Sequence, residues 1–288
     1  MMTKQTTALS AILSLAFLGQ VSTAFACVQV GEDCIDPGAT EVRIRIGDDV
    51  PDLSVLSNFT QIEELSIYAS LGFKSPVDLG PLSALERLQS LDISDVQPVS
   101  LAPLADLNGL TFLALETPLE VDLSPVSGLV GLKRLSLASN DWLTDLPVAN
   151  LTGLEALIIR DTAVQSLEPL RGLTGLKSLI AFSTSVEDLA PLRDLTQLSF
   201  LDLSFSPIRS LEPLEQMTAL EVLYIKKTQV ASLAGLAQAA ALRELYAEDT
   251  PISDISALSG KAKLELLELQ GTEIATLDPL ADAVSLRE

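Results

Sequence analysis

Histidine is missing from all 288 residues. Its absence removes the usual base of nucleophilic triads, the ordinary proton shuttle near neutral pH and the commonest zinc ligand. Basic residues are scarce too: 18 Lys plus Arg stand against 39 Asp plus Glu, a net charge of −21. So acidic a surface repels phosphate backbones, so nucleic acid is not an expected partner, and the same charge keeps an apolar chain in solution. Aromatic residues make up only 4% of a chain that is 48% hydrophobic. Its core must therefore be aliphatic. There is no Gly-rich phosphate loop and no nucleophile with a plausible base, and Asp92, Asp95, Asp202 and Asp249 fall at no regular calcium-ligand spacing. The expectation is a non-enzymatic protein with no metal and no cofactor.

Cysteine occurs only twice, at Cys27 and Cys34. What precedes the pair sets its meaning. Residues 1–26 carry one positive charge, Lys4, no acid, an apolar run from Ala8 to Val21, and then Ala24-Phe25-Ala26. This is the pattern of a secretory signal with a small-x-small cleavage site, and it is too short for a good membrane anchor. Cleavage after Ala26 would make the protein secreted or periplasmic, in the cell envelope, with no transmembrane segment left. A lipoprotein signal would also put a cysteine first, but Ala24 and Phe25 stand where such signals carry Leu and a small residue, so a lipid anchor at Cys27 is the minor reading. In an oxidising compartment Cys27 and Cys34 pair and staple a short cap ahead of the remaining chain. In that cap, Val42, Ile44 and Ile46 alternate with polar residues as a half-buried strand does. Residues 27–61 are read as this N-terminal cap.

From residue 62 the chain repeats one pattern. It is clearest in Leu198 to Ala219, where Leu198, Leu201, Leu203, Ile208, Leu211, Leu214 and Met217 are the apolar letters. Starts of the signature L-x-x-L-x-L fall at Ile62, Leu88, Leu110, Leu132, Leu154, Leu176, Leu198, Leu220, Leu242 and Leu264. After a first interval of 26, every interval is 22. A fixed period of this size is the mark of a solenoid. The residues between the second and third leucines alternate as a strand does, and so short a return permits only parallel pairing with the next coil. Prolines recur at 103, 125, 147, 169, 191, 213 and 279, and because proline cannot donate to a ladder they mark the other side as turns or short 3₁₀ segments. One coil alone cannot offset the entropy of ordering its backbone, so stability must come from stacking. A row of small polar residues, Asn140, Thr162, Thr184, Ser206, Thr228, Thr250 and Thr272, is expected to satisfy backbone groups at the inward bend as a ladder running from coil to coil. Trp142, in a slot held by Val or Ile in later coils, is expected to be core.

The motif L-x-x-L-x-L-x-x-T-x-[IV]-x-x-L-x-P-L-x-x-L, running from Leu154 to Leu173, resembles the bacterial internalin-type leucine-rich repeat. The likeness covers residues 41–288 and is specific for fold. It implies a leucine-rich-repeat solenoid of the α/β class, with a curved parallel β-sheet on the concave face and turns and short 3₁₀ segments on the convex face. About ten repeats span residues 62–288, the last followed by an incomplete one. It also implies a concave sheet that binds other proteins.

Outward strand positions can then be read off directly: Ile158, Arg160, Ile180, Phe182, Phe200, Asp202, Val222, Tyr224, Lys226, Tyr246, Glu248 and Leu266, with Phe205 just past its strand. Aromatics flanked by charges on a rigid exposed sheet are what a binding hot spot requires. The adjacent lysines Lys226 and Lys227 are expected to be solvated and paired locally. The leading expectation is an exported, monomeric protein-binding scaffold with an unidentified protein partner. The alternative is a structural or self-associating envelope protein that pairs through an uncapped C-terminal strand edge.

Overall fold

The structure is a computed structural model that describes residues 27–287, apart from 31–32, 48, 51 and 71–74. The leader-like segment 1–26 lies outside the described residues, as does part of the longer loop in the first coil.

At the N-terminus, β1 (Val28–Val30) and β2 (Asp33–Ile35) form an antiparallel hairpin. A disulfide joins Cys27 to Cys34, with Cα atoms 5.4 Å apart. The bond occupies the sulfur that a lipid anchor at Cys27 would need. Closing so short a loop stabilises the hairpin chiefly by restricting the unfolded chain. Replacing both cysteines with serine is therefore expected to cost about 2–3 kcal/mol locally. Amide exchange should accelerate in the cap while strands at the centre of the array keep their protection, and uniform acceleration would contradict a local role.

β3 (Glu41–Ile46) alternates exposed and buried along its length and pairs in parallel with β4 (Glu64–Ala69). From there the repeat supplies one strand per coil. β5 (Pro76–Val77) and β7 (Gln97–Pro98) form a small separate parallel pair, while β6 (Ser90–Ser94) and β8 (Phe112–Glu116) extend the main ladder. It continues through β9 (Arg134–Ser136), β10 (Ala156–Ile158), β11 (Ser178–Ile180), β12 (Phe200–Asp202), β13 (Val222–Tyr224), β14 (Glu244–Tyr246) and β15 (Leu266–Glu268). The result is an 11-stranded sheet in strict sequence order from β3 to β15. The cap strand β3 belongs to this sheet as its first member. Strand pairing holds the sheet side at about 4.8 Å per coil. The bulkier turns open the opposite side, so the sheet lies on the concave face.

The core follows the seven-letter pattern. Leu198, Leu201, Leu203, Ile208, Leu211, Leu214 and Met217 are each 1% exposed or less. On the convex side, Pro103, Pro125, Pro169, Pro191, Pro213 and Pro279 sit in the first turn of successive 3₁₀ segments, where a missing N–H costs nothing. Gly235 takes the proline slot of its coil because the backbone passes very close to the preceding one: a Cβ there would lie 1.9 Å from the Leu211 carbonyl oxygen.

The row of small polar residues works differently from the expected ladder. Thr162, Thr228, Thr250 and Thr272 each donate a hydroxyl to the carbonyl three residues earlier in the same coil, at 2.7–2.8 Å. Each bend is thus capped from within. Contacts between coils occur where Thr184 and Ser206 meet at 3.0 Å and where Asn140 reaches back to the preceding coil. Trp142 is half-buried rather than fully core; it packs against the core's edge and donates its indole N–H to the Thr117 carbonyl at 3.1 Å. That coil is irregular, since Pro118 stands in the threonine slot and Glu120 in the Ile/Val slot.

Candidate functional site

Because every coil is paired in register, outward residues form rows across the concave face. One row reads Ser66, Asp92, Ala114, Ser136, Ile158, Ile180, Asp202, Tyr224 and Tyr246. Another aligns Ser178, Phe200, Val222, Glu244 and Leu266. Beyond the strand ends come Arg160, Phe182, Lys226 and Glu248. The face therefore divides in two. After Arg43 of β3, the central row holds small or acidic side chains from β4 to β9, and from β10 onward it is bulky apart from Asp202. All the outward residues expected from the sequence lie in this second half. All are half-buried except Phe205, which is 52% exposed.

The rings there are in contact with one another. Tyr224 and Tyr246 stack at 4.1 Å between centroids with planes 3° apart, and Phe200 lies 5.7 Å from Tyr224. Phe182 meets Phe205 edge-on at 6.3 Å. The Tyr246 hydroxyl donates to Glu244 Oε2 at 3.0 Å. Burial, then hydrogen bonding to Tyr224 and Glu244, holds this phenol well above its ordinary pKa, so it stays protonated through the alkaline range in which tyrosine normally ionises.

Phe205 is unusual in its backbone as well as its exposure. Residues 139, 161, 183, 205, 227, 249 and 271 occupy one slot, where the chain leaves the strand with positive φ. Ser139, Asp161, Ser183, Asp249 and Gly271 suit this left-handed turn, but a phenylalanine at φ 60° does not. Its N–H still donates to the Lys226 carbonyl at 2.8 Å, which carries the ladder three residues past the end of β12. A strained, exposed aromatic in a slot that, Lys227 apart, small residues fill in the other coils with this turn is not required by the coil.

Three cations in this half are already engaged. Arg160 pairs with Asp161 at 2.7 Å and Lys226 with Glu248 at 2.6 Å. Lys227 makes no ion pair among the described residues; instead its ammonium lies over the Phe205 ring at 5.3 Å from the centroid. Lys226 is also 4.9 Å from the Tyr246 ring. Of the two lysines expected to pair locally, only Lys226 does so. Sequence reasoning did not bring Lys227 into the site, because its role depends on the left-handed turn that swings it toward Phe205. It also missed a separate contact on the other half, where the Arg134 guanidinium covers the Phe112 ring at 4.9 Å.

The opposite half of the face carries a group of neighbouring carboxylates, Asp92, Asp95 and Glu116. Burial, then repulsion from Asp95, pushes the Glu116 carboxyl above its usual pKa. Among the described residues, no group of three or more His, Cys, Asp or Glu side chains could hold a metal ion.

The fold is shared with solved structures. An internalin from Listeria monocytogenes str. 4b F2365 superposes with a TM-score of 0.72 at 27% identity, over 82% of this chain and 69% of that one. The functional domain of InlJ from Listeria monocytogenes, described as including a cysteine ladder, gives 0.64 at 18% identity, over 85% of this chain and 56% of that one. The leucine-rich-repeat ectodomain of a plant membrane receptor kinase from Arabidopsis thaliana gives 0.65 at 14%, over 84% of this chain and 31% of that one. The last two likenesses concern the fold alone. No protein-family model and no curated protein matches the sequence.

Proposed function

We propose that this chain, a leucine-rich-repeat solenoid of the internalin type, is an exported protein-binding scaffold that engages its partner with the bulky half of the concave face, from Ile158 to Glu248. Folds of this type are non-catalytic and generally present the concave face to a protein or other ligand. Likeness to an internalin supports a secreted or envelope location, and the apolar leader at residues 1–26 fits export. No helix among the described residues is long and apolar enough to cross a membrane.

The observation that carries this reading is the aromatic cluster itself. Phe182, Phe200, Phe205, Tyr224 and Tyr246 converge on one face of a chain in which aromatics are only 4%, and none of them is needed to specify the coil. Rigid aromatic side chains give large contact area for little loss of freedom, which is why they dominate interface hot spots. Core leucines of each coil lie on the sheet's other side, so the rings can be removed without opening a cavity.

Phe200→Ala combined with Tyr224→Ala should therefore weaken partner binding by at least about tenfold, while the thermal midpoint changes little. The comparison uses surface-immobilised wild-type and double-variant protein exposed to the same extracellular protein mixture, with captured species quantified. Equal retention by both proteins, or a collapse of folding in the variant, would remove the basis for this assignment.

A further inference from the structure

Asp202 is the one charged side chain in the central row between Ile158 and Tyr246, with Ile180 and Tyr224 as its cross-strand neighbours. Phe200 lies two residues earlier on the same face of β12, and its ring touches that of Tyr224. The Asp202 carboxylate accepts the Ser204 backbone N–H through Oδ1 at 3.0 Å and has no ion pair among the described residues. The nearby cations are taken: Arg160 by Asp161, Lys226 by Glu248, and Lys227 by the Phe205 ring. A second acceptor is also spare, since Glu248 Oε2 is buried without a hydrogen-bond partner. Asp202 and Glu244, neither in an ion pair among the described residues, outnumber Lys227, the one cation here without a carboxylate partner, so the unmatched charge on this patch is negative, within a protein of net charge −21.

We infer that the partner presents an Arg or Lys side chain, with its cationic head on Asp202 and its methylene stem laid across the Phe200 and Tyr224 rings. This rests on the concave-face reading above and adds the chemistry of what is recognised. An arginine or lysine suits the site on both counts: its head supplies the donors that Asp202 lacks, and its stem covers the rings. A carboxylate-bearing partner would meet repulsion from Asp202 and from the surface as a whole, whereas a basic one is steered toward it. An isolated charge ringed by apolar contacts is shielded from water once the partner is seated, and the pairing then contributes to specificity.

The test is selection of random linear peptides displayed on phage against the purified protein, followed by affinity measurement on variants. Peptides that bind the wild type and lose at least about tenfold on the Phe200→Ala/Tyr224→Ala protein are the concave-face binders. They should be enriched in Arg or Lys relative to the starting library and should weaken by about tenfold on Asp202→Asn. Asparagine retains an oxygen to cap the Ser204 N–H, so this variant is expected to fold, and a melting curve checks it. Selection on Asp202→Lys should instead favour Asp or Glu. Concave-face binders with no basic enrichment and no response to Asp202→Asn would overturn the inference and leave the binding surface standing. Binders indifferent to Phe200→Ala/Tyr224→Ala, or no binders at all, would count against both.

Discussion

Phe205→Asn will weaken binding at the concave face by at least about tenfold while leaving the array as stable as before, or more stable by up to about 1 kcal/mol. Removal of a phenylalanine from a folded protein ordinarily costs several kcal/mol, because a buried ring leaves a cavity. Here the ring is 52% exposed and its backbone is held at φ 60°. The left-handed conformation costs about 1–2 kcal/mol for a residue with an ordinary Cβ, and asparagine tolerates it better because its short side chain bonds locally. Against this relief stands the loss of the edge contact with Phe182 and of the ring beneath Lys227, together about 1 kcal/mol at an exposed site. The terms nearly cancel in the folded state. The partner, however, loses the most prominent aromatic on the face. Differential scanning calorimetry with a binding titration separates the two effects. A stability loss well beyond 1 kcal/mol would mean that Phe205 is structural, and unchanged binding would mean that the strain serves something else.

The contrast with Asp161 and Asp249 explains why this feature was only half legible. Period, strand positions, outward rows and the turn side were all present in the spacing of Leu201, Leu203, Ile208 and their equivalents, since a coil of fixed length leaves little choice of register. Phe205 could therefore be placed just beyond its strand and outside the core. Its backbone angle could not be read from Phe205 itself. The signal lay in other coils, in Gly271 and in the Ser and Asp residues of the same slot, whose common property is tolerance of positive φ. Lys227 became part of the site only once that slot was known to turn. Trp142 was misplaced for a related reason: matching it to an Ile/Val slot assumes a regular coil, but Pro118 and Glu120 disturb the coil beneath it.

That disturbed coil sets the largest stability effect expected in the molecule. In the regular coils a threonine hydroxyl caps the carbonyl three residues back, as Thr162 caps Ile159 at 2.7 Å. Pro118 holds the equivalent slot one coil before Asn140 and has neither a hydroxyl nor an N–H, and a residue preceding proline avoids helical angles, so Thr117 lacks the left-handed turn found at Asp95 and Ser139. The carbonyl left for a cap is that of Leu115. Asn140 supplies it: Nδ2 donates to Leu115 at 2.8 Å, to its own coil's Leu137 at 2.9 Å and to Ala138 at 3.2 Å, while Oδ1 accepts the Thr117 N–H at 2.9 Å. Asn140 is 1% exposed, so water cannot readily replace these bonds. Asn140→Ala should cost about 3–5 kcal/mol, from several buried groups at about 1–3 kcal/mol each with partial relaxation. Asn140→Thr should recover only part of that loss, because a threonine hydroxyl reaches Leu137 but leaves Leu115 and Thr117 uncapped. Adding Pro118→Thr should then give back more in the Asn140→Thr background than it gains in the wild type, where the Leu115 carbonyl is already satisfied. Denaturation of the two single variants and the double variant measures this coupling. Simple additivity would show that Asn140 does not stand in for the cap that Pro118 cannot provide.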